Sequence, residues 1–176
     1  KYKSLDIKSV LPYSDFSSGN SNNGFLNSLL MVGSVESEGN NDFMLARHTT
    51  QGIDFGGTDQ MLVKTDINNG SNDIAKSAII QNDNGVKKIL VVGESDGNLA
   101  MVRYFAEGND AGLIDTSFGV NGIVSKNTSS TKKQLATIPF VPNMVKSTTD
   151  GSLYMCGEET NGDIKKFALK KFDAQA

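Results

Sequence analysis

The 176-residue chain has room for one ordinary domain and little space for two. Its net charge is −3 and no basic stripe is visible, which excludes the electrostatic footprint of a nucleic-acid binder. No apolar run approaches the roughly 18 residues of a membrane span, so no membrane insertion is expected. Hydrophobic residues make up only 38%, while Gly, Asn, Ser, Thr and Asp abound, a composition that suits short strands joined by polar turns and excludes a helical bundle.

In chain order, the first strand is predicted near Leu5 to Leu11, ended by Pro12. Tyr13 to Gly24 is rich in Ser, Asn and Gly and reads as an inserted loop. A second strand is expected over Asn27 to Val35, a third over Asp42 to His48, and a fourth over Gln60 to Thr65 after the Phe55-Gly56-Gly57 turn. The next group begins with Ala75 to Gln81. The Asn82-Asp83-Asn84-Gly85 turn follows, since Asn and Gly tolerate the positive φ of a hairpin. Lys87 to Glu94, Asn98 to Phe105 and Asn121 to Ser125 complete that group, with Asn127 to Lys133 as a link. Ile89 to Val92 is an unbroken apolar run, as suits a strand buried on both faces. In the last group Pro139 and Pro142 bracket Phe140 and Val141, which disfavours a central strand there. Val145 to Thr148, a turn through Asp150-Gly151, Ser152 to Glu158 and Ile164 to Phe172 supply three strands, and the fourth is missing.

The three groups repeat one another. Gly33, Gly93 and Gly157, the basic strand ends Arg47, Arg103 and Lys171, and the segments Ile53-Asp54-Phe55-Gly56 and Ile114-Asp115-Thr116-Ser117-Phe118-Gly119 recur at a step of about 60 residues. The expected architecture is all-β: about three four-stranded antiparallel propeller-type blades, over units of about 4–66, 73–126 and 134–173, an incomplete propeller whose last blade lacks a strand. Such units bury their faces only by stacking on neighbours. Three are fewer than the four to eight that usually close a ring. The 1–176 region is therefore expected to be part of a longer chain, an assembly of copies, or an open curved stack. The start at Lys1, with no Met and no signal peptide, fits a processed or excised segment.

The second unit carries a specific motif: Asp83-Asn-Gly85-Val-Lys-Lys-Ile89-Leu-Val-Val-Gly93, then Leu99-Ala-Met-Val-Arg103-Tyr104, then Gly112-Leu-Ile-Asp115-Thr-Ser-Phe118-Gly119-Val-Asn-Gly122-Ile-Val124. It resembles the delta-60 repeat of bacterial proteins. Unit one lacks the Thr-Ser before Phe55, and unit three ends before the Phe-Gly landmark. The resemblance implies a β-propeller-like architecture in large exported or surface proteins, extracellular or periplasmic, with no defined activity and no catalytic or ligand residues to carry across. Of the recurrent residues, Asp115, Thr116 and Ser117 suit hydrogen bonds to their own turn. Phe55 and Phe118 suit plugs between adjacent units, and Gly93 suits relief of crowding where a strand bends.

Candidate chemistry is sparse. His48 is the only histidine, and no metal ligand or triad partner stands at motif spacing, so a strand-end role is expected. Cys156 cannot form an intrachain disulfide and stands where Val32 and Val92 stand, as a small buried hydrophobe. Lys87-Lys88, Lys132-Lys133 and Lys170-Lys171 read as solvated strand ends and loops. Calcium is the one cofactor with candidate loops, Asp66-Ile-Asn68-Asn-Gly70-Ser-Asn72-Asp73 and Glu107-Gly-Asn109-Asp110, although neither has the glycine and distal glutamate of an EF-hand. Glu36, Glu94, Asp96 and Glu158 fall near one register position and form a candidate acidic rim, or simply solvated turns. With aromatic content at 7% and no Trp, a stacking platform for sugars or bases is disfavoured. The expectation is a non-enzymatic structural or interaction module with protein partners, itself or neighbouring repeats. The alternatives are a self-assembling homo-oligomer that closes a ring or filament by strand completion, and a hydrolase or lyase with a channel site.

Overall fold

In a computed structural model of the protein, residues 3–13, 28–49, 52–53, 55, 62–125, 140–148 and 152–172 are described. The insert expected beyond Tyr13, the Asn127–Lys133 link and the Asp150-Gly151 turn lie outside them. The described residues form strands and no helix. Sheet 1 runs β1 (Leu5–Tyr13), β2 (Ser28–Ser37), β3 (Asn40–Thr49), with the short β4 (Gly52–Ile53) and β5 (Val63–Thr65) both on the far side of β3. Sheet 2 runs β6 (Asp73–Asp83), β7 (Val86–Ser95), β8 (Asn98–Phe105), β9 (Ile123–Ser125). Sheet 3 runs β10 (Phe140–Ser147), β11 (Leu153–Asn161), β12 (Ile164–Phe172). Every pairing is antiparallel between sequential neighbours, save that β5 also returns to β3. Two-residue turns make this meander possible. Asn84-Gly85 and Asp96-Gly97 both take positive φ, the geometry that matches the twist of a hairpin.

One irregularity occurs in all three sheets. The first strand of each carries an extra residue, Lys8, Lys76 or Asn143, between the pairs Ile7↔Gly33 and Ser9↔Val32, Ala75↔Gly93 and Ser77↔Val92, and Pro142↔Gly157 and Met144↔Cys156. The bulge drives a backbone carbonyl, that of Asp6, Ile74 or Val141, onto the Cα of the facing glycine, where any Cβ would overlap it. The recurring glycines therefore share one cause: each makes room for its neighbour's bulge. The strand expected over Val145 to Thr148 starts earlier: β10 begins at Phe140 and passes through Pro142. It is an edge strand, as the prolines' bar on a central strand requires, and Pro142 sits beside its bulge, where a missing N–H costs the ladder little.

The sheets stack in chain order. β6 packs against β1, β2 and β3, and β10 packs against β6, β7 and β8. We call the face of each sheet toward the preceding sheet its front and the opposite face its back. Leu30, Val32, Phe43 and Leu45 on the back of sheet 1 meet Ala78, Ile89, Val91, Val102 and Tyr104 on the front of sheet 2. Leu90, Val92, Leu99 and Met101 on the back of sheet 2 meet Phe140, Val145, Leu153, Met155 and Phe172 on the front of sheet 3. All four back positions and four of the five front positions are equivalent at the two junctions; the exceptions are Val102, whose counterpart is Lys170, and Phe140, whose counterpart is Asp73. Sheet 2 has a neighbour on each face, so Ile89, Leu90, Val91 and Val92 are all fully buried, as the apolar run predicts. Each such side chain contributes about 1.5–3 kcal/mol of burial.

Among the polar bonds that cross the first junction, one joins two buried hydroxyls. The Tyr104 hydroxyl on sheet 2 lies 2.7 Å from Thr65 Oγ1 on β5, with both groups buried. Burial pushes the Tyr104 phenol far up, so it stays a neutral hydroxyl. Tyr104→Phe is expected to lower stability by about 1–2 kcal/mol in urea unfolding, because it strands the Thr65 hydroxyl. An unchanged midpoint would show that the bond contributes nothing to the junction.

Candidate functional site

Three polar constellations stand out, and the first secures the core. Arg103 at the end of β8 points to the back of sheet 2 and is 2% exposed. Its Nε donates to Asp115 Oδ2 at 2.8 Å, and Lys88 Nζ lies 3.2 Å from the same oxygen. Asp115 Oδ1 accepts the Ser117 amide and hydroxyl, at 3.2 and 2.7 Å, the turn-closing role expected of that segment. Asp83 stands 3.4 Å from the other end of the guanidinium, so two cations face two carboxylates. Burial alone would raise the Asp115 carboxyl. The hydrogen bonds from Ser117 and Lys88, together with the Arg103 charge, outweigh it and lower the group to about 2. Lys88 was expected in solvent. It is instead 5% exposed, with its ammonium 3.4 Å from the Phe105 ring centre. Arg103 also covers Phe118 at 4.9 Å, as Arg47 covers Phe55 at 5.2 Å. Phe55 sits in the core between sheets 1 and 2 and Phe118 in that between sheets 2 and 3, so both are the plugs their spacing suggests.

The second constellation lies in the loop from sheet 1 to sheet 2. Oxygens of Asp42, Asp66 and Asp73 lie within 4.8 Å of one another, a donor set suited to a hard cation. Protein groups already address each of them. The Gly70 amide bonds Asp66, the Ile67 amide and Ser71 hydroxyl bond Asp73, and Lys64 Nζ stands 3.2 Å from Asp42. Asn68, Ser95, Ser71 and Ser125 extend the network to sheet 2. Burial pushes the Asp73 carboxyl up, against the bonds it accepts. The sequence pointed to Asp66 and Asp73 as calcium candidates. Asp42 joins them only through the fold, since it lies two strands upstream. Glu107, from the other candidate loop, is taken instead by Tyr13 and Lys87, at 3.3 and 3.4 Å. With those donors in place and Lys64 supplying positive charge, about 5 mM calcium is expected to move the melting temperature by less than about 1 °C. A rise of several degrees that Asp66→Asn abolished would assign the cluster to the cation.

The third is a groove of about 540 Å³ between sheets 2 and 3, lined by Lys76, Glu94, Asn143, Glu158, Thr160 and Lys165. It brings together Glu94 and Glu158 of the candidate rim, but each is ion-paired, to Lys76 at 2.9 Å and to Lys165 at 2.7 Å. Hydrogen bonding to Glu158 raises Lys165. Glu36 is elsewhere, bonded to Lys3 and Ser4, and Asp96 accepts the Asn72 amide. The rim is thus a row of neutralised pairs and turn bonds rather than an acidic surface.

His48 is exposed at the end of β3, as expected. Cys156 departs from expectation. It is half-buried, because it lies on the back of sheet 3, where Val32 and Val92 on the other sheets meet a following sheet. No family model, curated protein or solved structure matches the chain.

Proposed function

We propose that the chain is a non-enzymatic structural and interaction module whose sheets are blades of a β-propeller-like array, of the kind the delta-60 resemblance implies for exported or surface proteins of bacteria. One observation carries the reading: the front-to-back packing of sheet on sheet is made twice, with largely equivalent residues, equivalent bulges and an equivalent Arg–Phe stack on the back of each contributing sheet. A module of this kind works through its surfaces, and its polar clusters serve to fix turns and junctions. Protein partners, neighbouring repeats among them, fit such a role.

The reading is tested by cutting the chain. Residues 73–125 alone, with both faces of sheet 2 uncovered, are expected to stay unfolded by circular dichroism, while residues 3–125 fold with a lower melting temperature than the whole chain. A unit over 73–125 that folded by itself with full stability would refute the stacked array. Turnover of a glycoside, ester or peptide substrate, lost in Glu94→Gln or Glu158→Gln, would replace the non-enzymatic reading with a catalytic one.

A further inference from the structure

The stack ends on two faces of opposite kind: the front of sheet 1, where Leu62 already buries Val35, Met44 and Ala46 but leaves other apolar side chains open, and the back of sheet 3. On the front of sheet 1, Leu5, Ile7, Val10 and Leu29 are 56, 52, 52 and 43% exposed. They share that face because Leu5 pairs with Val35, Ile7 with Gly33 and Val10 with Met31, while Leu29 is the counterpart of Ile89. On the back of sheet 3, Phe167 and Leu169 are 79 and 62% exposed. They are the counterparts of Leu99 and Met101, which sheet 3 covers on sheet 2. Six of the large exposed apolar side chains therefore lie on the two terminal faces. Each occupies a position that is buried wherever a neighbouring sheet is present.

We propose that a second copy of this chain covers these faces head to tail, with the back of sheet 3 in one copy seated on the front of sheet 1 in the next. The argument is continuity: on the part of the front that Leu62 leaves open, the contact to be made is the one the chain already makes twice, front on back. The inference rests on the stacked-repeat reading above. The sheet edges argue against strand completion as the mode. β12 carries Lys165, Lys166, Lys170 and Lys171, and β1 carries a bulge with Lys8, both devices that deter edge-to-edge pairing. The contact is heterologous, so the two faces differ and neither pairs with itself. Two copies bring six sheets together, within the four to eight that close a ring, and the expected product is a dimer.

Sedimentation of the intact chain at about 100 µM is expected to give about twice the mass of the 18.8 kDa monomer. Ile7→Lys/Val10→Lys spoils only the front face, and Phe167→Lys/Leu169→Lys only the back. Each double variant is expected to be a folded monomer by circular dichroism. An equimolar mixture of the two retains one good front and one good back, and is expected to form a one-to-one pair. That recovery also shows both variants to be folded. A wild-type monomer at this concentration would overturn the proposal and leave the excised-unit result standing. So would association blocked by only one variant and not restored by mixing, the mark of a symmetric contact, or association that survives in both variants, the mark of edge pairing.

Discussion

Gly93→Ala is expected to lower the stability of the chain by about 3 kcal/mol, far more than a single methyl group ordinarily does in a strand. The added carbon overlaps the Ile74 carbonyl and crowds the Ala75 Cα, both backbone atoms of the bulge in β6, so no side chain can swing away. The two strands must separate near the start of β6, beside Ala75 of the first core and Val92 of the second. Gly97→Ala is the matched control. It places an alanine at a φ of +73° with open space around it, a strain of about 1 kcal/mol. Urea unfolding of the two variants measures the difference. Equal losses would show that the bulge yields freely, and the account of the three recurring glycines would fail.

Asp115→Asn is expected to cost about 3–5 kcal/mol at neutral pH, because Arg103 and Lys88 stay buried without the carboxylate that offsets their charge. The pH dependence gives a second readout. Asp115 is lowered from an ordinary 3.8 to about 2, so the stability it contributes is present above about pH 4 and is lost as pH falls from there to about 2. That part amounts to about 2 kcal/mol. Asp73 acts in the opposite sense. Its folded-state value is raised, so its contribution favours the folded chain on acidification. In the variant the acid loss from Asp115 disappears and the Asp73 effect remains. Stability between pH 4 and pH 2 should therefore be flatter than in the wild type. A variant that lost stability on acidification as steeply as the wild type would remove Asp115 as the source.

The strands were legible wherever burial wrote a plain pattern. Ile89 to Val92 announces a strand covered on both sides, and the recurring Gly, Arg and Phe landmarks announce equivalent places in successive sheets. What the sequence hid were the features that depend on a partner distant in the chain. Pro142 signals a break by its own chemistry, and only the bulge beside it makes the position tolerant. Lys88 reads as one half of a solvated pair, and only the fold sets Asp115 and Phe105 against its ammonium. Asp42 carries no mark that would join it to Asp66 and Asp73. Cys156 matches Val32 and Val92 in position but not in surroundings, because burial on a stacked sheet is decided by the next sheet and not by the strand itself.

The extra residue in each first strand also separates two properties that strands usually couple. Removing Lys76 would leave Ala75 facing Gly93 and Ser77 facing Val92, with every inward and outward side chain as before. Pairing needs no such residue, yet Lys8, Lys76 and Asn143 supply one at the same place in all three sheets. Beyond the Lys76–Glu94 ion pair, what the extra residue adds is the bend a bulge gives its strand, and a chain lacking Lys76 is expected to tolerate the methyl group of Gly93→Ala while changing the angle at which sheet 2 leans on its neighbours.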